Sequence, residues 1–391
     1  MIYLDSAATA KYTNKDDIVV DTMVTAMKDS WLNPSSLYAS NVKNKINKCR
    51  ANIAKFIGAK PEEIIFTSGA SESNNMAIRG WHEYKFYDEG YNHFDKEIFT
   101  HCFTTPIEHK SVLSAFYDTP CLSAELIPID ECGSVRLDIF EKYFLHTYED
   151  KRPPILVSVC MANNEIGTIQ DIKKISELVH KYNGVLHVDA TQAFGHIPID
   201  VEELGIDMMS CSGHKISPVL RGIGFLYKRN GVNIKPLIYG NQENGMRGST
   251  ENTYGIIGLS KAIEYCDVSQ KHIEDMCNKR DYFVGRLESK FGCKLNGHRE
   301  HRLPNNINVT FSQNVTGESL LYILDMSRIR ISVGSACNSK AIEPSYVLKA
   351  IGLSNEEAMR TVRFSLPNDI TYEQINYVVD EIEKSIRILE M

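Results

Sequence analysis

The chain has 391 residues, enough to bury a large core and to form two domains, or one large domain with a smaller companion. Its 43 Lys and Arg against 50 Asp and Glu leave a net charge of -7, so no basic surplus exists to neutralise a phosphate backbone, and direct nucleic-acid binding is not expected. Ten cysteines occur without a C-x-x-C pair, no run of about 18 apolar residues occurs, and MIYLDSAATAKYTNKDD lacks a basic-then-apolar leader pattern; the expectation is a cytoplasmic protein with reduced thiols, no metal and no membrane span.

From about residue 60 to residue 230, short apolar runs alternate with helix-length amphipathic segments. Strands are predicted at Glu63 to Phe66, Glu97 to Phe103, Ile155 to Cys160, Val185 to Val188, Asp207 to Cys211 and Ile223 to Tyr227. Between them, DIKKISELVHK from Asp171 to Lys181 places Ile172, Ile175, Leu178 and Val179 on a helical period. This alternation predicts an α/β fold around a mostly parallel sheet. After Gly255 a long helical pattern runs to about Phe291, followed by strand-like NINVTF from Asn306, a helix from Glu318 to Asp325, a strand from Val362 to Ser365 and a helix from Tyr372 to Leu389. That texture predicts a smaller α+β domain. The expected division is a large domain over 13–258 and a small one over 259–391 together with 1–12.

Three strand ends carry residues with chemical potential. IIFTSGASESNN, from Ile64, is an apolar strand, a glycine turn and a helix opened near Ser71, where backbone N–H groups and hydroxyls suit a phosphate; an ordinary capping turn would look the same. GVLHVDATQA places Asp189 at the carboxyl end of a strand, the usual ligand edge of an open α/β sheet, with Gln192 three residues on. A carboxylate there can keep a ring nitrogen protonated, or it can simply cap a helix. DMMSCSGHKI ends its strand in Ser212, Gly213, His214 and Lys215. A lysine aimed into a cleft has its amine available for Schiff-base chemistry, although most lysines are solvated surface residues. A phosphate cup, an acid for a pyridinium nitrogen and a lysine 26 residues later are together the parts that pyridoxal phosphate requires.

The chain resembles the cysteine desulfurases of the iron-sulfur-assembly and nitrogen-fixation type, within the class V aminotransferase fold of pyridoxal-phosphate enzymes. The matching segments run nearly end to end: YLDSAAT, NPSS, TSGASESNN, IEHKSVL, NNEIGTIQ, HVDATQAFG, SGHK, GMRGSTEN, GSACNS and VRFSL. The resemblance implies that Lys215 holds the cofactor as a Schiff base, that Asp189 pairs with its ring nitrogen, and that Gln192 bonds its phenolic oxygen. His109 would stack on the ring and act as an acid-base group. Ser71, Ser212 and His214 match phosphate ligands, Ala70 and Asn164 complete the cofactor set, and Thr250 would reach the phosphate of the partner subunit in a homodimer. Asn164 and Arg363 match the residues that hold substrate L-cysteine, with Arg363 clamping its carboxylate.

Cys337, in a run of small polar residues that suits an exposed thiol, matches the family's sulfur-accepting cysteine. The implied reaction yields L-alanine and a persulfide on Cys337, passed on to an acceptor protein such as an iron-sulfur scaffold or a transfer-RNA-thiolation enzyme. The sequence departs from the family at Tyr38, where a His is usual, in the segment Ser217 to Gly222, and in a polar insertion over residues 82 to 97. Selenocysteine lyase, another class V enzyme and a sulfur-relay scaffold with little catalysis are the alternative readings. Alanine release from L-cysteine separates the last of them from an enzyme.

Overall fold

The computed structural model describes residues 1–88, 100–120, 122–150, 155–333 and 344–390. A two-residue strand, β1 (Ile2–Tyr3), precedes two amphipathic helices, α1 (Asn14–Asp29) and α2 (Ser40–Phe56). Seven strands follow: β2 (Ile64–Thr67), β3 (Thr100–Thr104), β4 (Leu122–Leu126), β5 (Ile155–Cys160), β6 (Val185–Asp189), β7 (Met208–Ser212) and β8 (Gly224–Lys228). They form one sheet in the order β2-β8-β7-β6-β5-β3-β4. Only β8 runs against its neighbours, pairing antiparallel with both β2 and β7. The α/β class and the mostly parallel sheet are therefore as the sequence predicts.

All six residues of β5 are buried, as expected for a parallel strand covered on both faces. One face packs a core in which Val42, Ile53, Val157, Val179 and Leu259 are fully buried. The other face carries Met76, Trp81, Val112 and Phe116 from α3 (Ala70–Tyr87) and α4 (Lys110–Tyr117). The helix predicted over Asp171 to Lys181 is α6 (Ile172–Lys181), which follows α5 (Leu137–Asp150); Asp171 caps it by accepting the Lys174 N–H at 3.2 Å.

Two differences from the sequence reading concern the large sheet and the helices that follow it. β4 was not expected: it is a five-residue edge strand whose sequence, LSAEL, has no continuous apolar run. The single helical pattern from Gly255 to Phe291 is two helices, α7 (Thr253–Ile263) and α8 (Gln270–Phe291). Ser269 breaks the run by taking the N-cap position of α8 and accepting the His272 N–H at 3.4 Å. α7 packs on α1 and α2.

Beyond α8 lie β9 (Lys294–Leu295), β10 (Asn306–Thr310), α9 (Gly317–Met326), β11 (Ile329–Arg330), α10 (Tyr346–Ala350), α11 (Asn355–Met359), β12 (Thr361–Ser365) and α12 (Tyr372–Leu389). β12, β10 and β9 form a three-stranded antiparallel sheet, packed through Phe283, Val309, Phe364 and Val379 on α8 and α12. The chain start joins this second core: β1 pairs with β11, and Leu4 is fully buried within it. Because every strand of the large sheet except β8 points the same way, the turns after β2, β3, β5, β6 and β7 open on one edge.

Candidate active site

That edge carries the Gly69 turn, Asp189 and Lys215 from the sequence reading. After β2 the backbone turns at Gly69, whose φ of 150° suits glycine, and a Cβ there would come within 3.5 Å of Ser212 Oγ. Ala70 and Ser71 then open α3, an 18-residue helix whose first-turn N–H groups have no intrahelical acceptor. Glu72 stands beside this turn, accepting the Ser68 N–H at 2.8 Å and paired with Arg247 at 2.9 Å. Burial alone would raise its pKa, but the bonds from Arg247 and Ser68 outweigh burial and hold the carboxyl below its ordinary value.

Asp189 ends β6 and is 6% exposed. Its Oδ2 accepts the Asn74 side-chain amide at 2.8 Å, and its Oδ1 accepts the Thr191 N–H at 2.9 Å and the Thr191 hydroxyl. A carboxylate gripped from both sides in this way is fixed in direction. Asn74 also donates to Ser111 Oγ at 2.9 Å, which links Asp189 to the turn that carries His109. Neither Asn74 nor Thr191 was singled out from sequence. Both lie inside the quoted segments, but nothing in the string says which of two adjacent asparagines faces the sheet.

His109 is the N-cap residue of α4; its Nδ1 accepts the Ser111 N–H at 3.1 Å and lies 2.8 Å from Ser111 Oγ. Desolvation lowers its pKa, with Asp189 opposing and Lys215 and Lys110 assisting. The neutral ring therefore carries its proton on Nε2, because Nδ1 is committed as an acceptor.

β7 runs into a 3-10 turn over Gly213–Lys215. Ser212 Oγ lies 2.8 Å from His214 Nδ1, and desolvation, then the charges of Lys215 and Arg221, pull the His214 pKa down to about 4. The Ser212 hydroxyl thus faces the glycine turn at Gly69, with the neutral His214 imidazole bonded behind it. Lys215 Nζ donates to the carbonyls of Ala7 at 2.7 Å and Ala8 at 2.9 Å, while Gln192 Nε2 donates to the same Ala7 carbonyl at 3.0 Å.

Arg363 reaches the site from β12 in the smaller core. Its Nη2 donates to Asp5 Oδ1 at 2.7 Å and its Nη1 to the Asn164 backbone carbonyl at 3.0 Å. Asn164 thus meets Arg363 through its main chain rather than its amide. Asp5 has no role in the sequence reading, although it lies in YLDSAAT. Thr250 lies apart, exposed on the surface of this chain. It follows Ser249, whose φ is 90°, in a loop held by the pairs Arg247–Glu72 and Arg50–Glu243. Cys337, the expected sulfur acceptor, lies outside the described residues.

The donor set suits a phosphorylated pyridine aldehyde: a helix start with a glycine turn, a fixed carboxylate, a neutral imidazole and a lysine amine share one edge. Among the described residues no group of three or more His, Cys, Asp and Glu side chains is placed to hold a metal.

The family model for aminotransferase class-V matches residues 2–378. A cysteine desulfurase IscS of Dictyoglomus turgidum is 41% identical over 395 residues, covering 99% of this chain and 95% of that protein. A solved NifS-like protein superposes with a TM-score of 0.85 at 32% identity, covering 100% of this chain and 99% of the other. A solved structure of SspA in complex with cysteine gives a TM-score of 0.76 at 34% identity, covering 94% and 99%. Sequence, architecture and the convergence of residues on one sheet edge agree: the chain belongs to the class-V aminotransferase family, among the cysteine desulfurases.

Proposed function

We propose that the chain releases sulfur from L-cysteine, leaving L-alanine, and that Cys337 receives the sulfur as a persulfide for transfer to an acceptor protein. The observation that carries this reading is the meeting of Asp189, Lys215 and the Gly69 turn on one edge of the sheet, in the chemistry that pyridoxal phosphate demands. When bound, that cofactor supplies an electron sink for the carbanion left when the substrate Cα loses its proton.

The chain's own residues supply the rest. The first turn of α3 at Ala70 and Ser71, with Ser212 and His214, would hold the phosphate, since the N–H groups of that turn have no intrahelical acceptor and the Ser212 hydroxyl and the neutral His214 ring can add donors. Asp189, immobilised by Asn74 and Thr191, would keep the ring nitrogen protonated, and Gln192 would serve the phenolic oxygen. Lys215 would hold the cofactor covalently; once released, its Nζ would take the Cα proton, and the Ala7 and Ala8 carbonyls are in place to stabilise the resulting ammonium. His109, with its proton on Nε2, would stack on the ring and act as the acid toward the substrate. Arg363 would receive the α-carboxylate beside Asn164.

In this reading Thr250 points out of the chain because it serves the cofactor phosphate of a second copy, so the working form is a homodimer. The acceptor is an iron-sulfur scaffold or a transfer-RNA-thiolation enzyme. No helix among the described residues is long and apolar enough to cross a membrane, and the proposed setting is the cytoplasm. The proposed division keeps a large unit over 13–258 and a small one over 259–391 together with 1–12, with α7 packed on α1 and α2.

The test is to incubate wild type and Cys337→Ala with L-cysteine in the absence of reductant and measure alanine and intact protein mass. Wild type gains one sulfur on the Cys337 peptide. The variant still binds the cofactor, gains none and forms little alanine; normal alanine formation by the variant rejects the assignment.

A further inference from the structure

Residues Leu4 to Ala10 cross the site as a strap tied to both cores. On one side the Ser365 N–H donates to the Leu4 carbonyl at 2.7 Å and the Ala7 N–H to Ser365 Oγ at 2.9 Å. On the other the Ala10 N–H donates to the His214 carbonyl at 3.1 Å, and the Ala7 and Ala8 carbonyls take Lys215 and Gln192. The one ionisable side chain of the strap is Asp5, and it rests on Arg363.

The contact is incomplete. Asp5 Oδ1 takes Arg363 Nη2 at 2.7 Å, Asn164 takes Nη1, and Arg363 Nε is buried without a hydrogen-bond partner among the described residues. Nε and Nη2 form the edge of a guanidinium that can hold a carboxylate by two parallel bonds. Arg247 holds Glu72 through these two atoms, and Arg136 holds Asp138 in the same way. Asp5 uses one of the two positions and leaves the other empty. It does so at a cost, since desolvation raises its pKa even though Arg363 and Lys215 act to lower it. Asp5 thus lies in reach of the two cations that the carboxylate and the amine of an amino acid must address.

We propose that Asp5 is the resting occupant of the substrate-carboxylate position on Arg363, displaced from Nη2 when the α-carboxylate of the incoming amino acid takes Nε and Nη2 together. The inference rests on the reading of Arg363 as the carboxylate clamp. It makes Asp5 a specificity-determining residue. An α-amino acid exchanges one carboxylate for another and satisfies the orphaned Nε as well. An amine without a carboxylate leaves Asp5 in place and gains nothing at Arg363. Between turnovers, the buried guanidinium is never left without a counter-charge.

The experiment is calorimetric titration of the cofactor-loaded protein with L-alanine and with ethylamine, for wild type, Asp5→Asn and Arg363→Ala. Asp5→Asn is expected to bind L-alanine roughly three- to tenfold more tightly, the share of one partly exposed ion pair, with ethylamine unchanged. Unchanged or weaker binding of L-alanine by Asp5→Asn overturns the proposal, because Asp5 is then a fixed support of the guanidinium. If Asp5→Asn does not fold, Asp5→Ser removes the same charge and is read by the same criterion. Arg363→Ala separates the two levels: should it bind L-alanine as tightly as wild type, the clamp reading itself fails, whatever Asp5 does.

Discussion

Glu108 offers a direct measurement of what the interior of this site does to a charge. It sits fully buried in the turn between β3 and α4, next to His109. Its Oε1 accepts the Thr105 hydroxyl at 2.6 Å and the Cys160 N–H at 2.9 Å, whereas Oε2 has no hydrogen-bond partner among the described residues. Desolvation pushes its pKa up to about 8, with the Asp189 charge adding to the rise and the bonds from Thr105 and Cys160 opposing it. At neutral pH the group is therefore a carboxylic acid, with its proton on Oε2, since Oε1 is already an acceptor twice over.

A folded pKa raised above the unfolded one means that the native chain holds a proton the unfolded chain releases. Stability is then fully present below the ordinary carboxyl value of 4.5 and is lost as pH rises toward 8. The loss is about 1.4 kcal/mol per pH unit, with a ceiling of about 5 kcal/mol once both states are ionised. Glu108→Gln removes this term while keeping the shape: its carbonyl replaces Oε1 and its amide replaces the protonated Oε2. Urea unfolding of both proteins at pH 5, 6.5 and 8, at fixed protein and cofactor concentration, reads the difference. Other titrating groups act equally in both, so the variant's advantage should be near zero at pH 5 and grow with pH. A gap that does not change with pH refutes a protonated Glu108.

Two further outcomes concern the loop that presents Thr250. Ser249 is exposed at φ 90°, so Ser249→Gly should stabilise the chain by about 1 kcal/mol, strain relief less the added entropy of glycine in the unfolded state, and an unchanged urea midpoint would count against strain there. Arg50 holds the nearly buried Glu243 by two bonds of 2.8 Å, and Glu243 also accepts the Phe66 N–H at 2.9 Å. Arg50→Ala should cost about 3 kcal/mol by stranding that carboxylate, and adding Glu243→Gln should recover part of the loss; equal stability of the single and double variants would contradict the pairing.

Local rules were enough for much of this architecture. The apolar run ILVSVC read as a strand within an alternation that predicted a mostly parallel sheet, and the period of DIKKISELVHK predicted α6, because both signals lie within one element. Asp189, Lys215 and the turn at Gly69 could also be picked out from sequence, since each closes a strand, whereas the roles expected of Gln192, His109, Asn164, Thr250 and Arg363 came from the family resemblance. What the string could not carry was any relation between distant residues. The β4 strand owes its existence to its neighbour β3 rather than to its own alternation, and the break between α7 and α8 to a cap that competes with a continuous helical period.

Asn74 earns its place only because α3 lies across the end of β6, and Glu108 is an acid only because the fold removes it from water. Asp5 and Arg363 are 358 residues apart, and their ion pair exists because the chain start returns to pair with Ser365. Hydrophobic period and turn chemistry act over a few residues and can be read in order along the chain. Desolvation and ion pairing depend on what the fold places nearby, so the tertiary structure alone decided them.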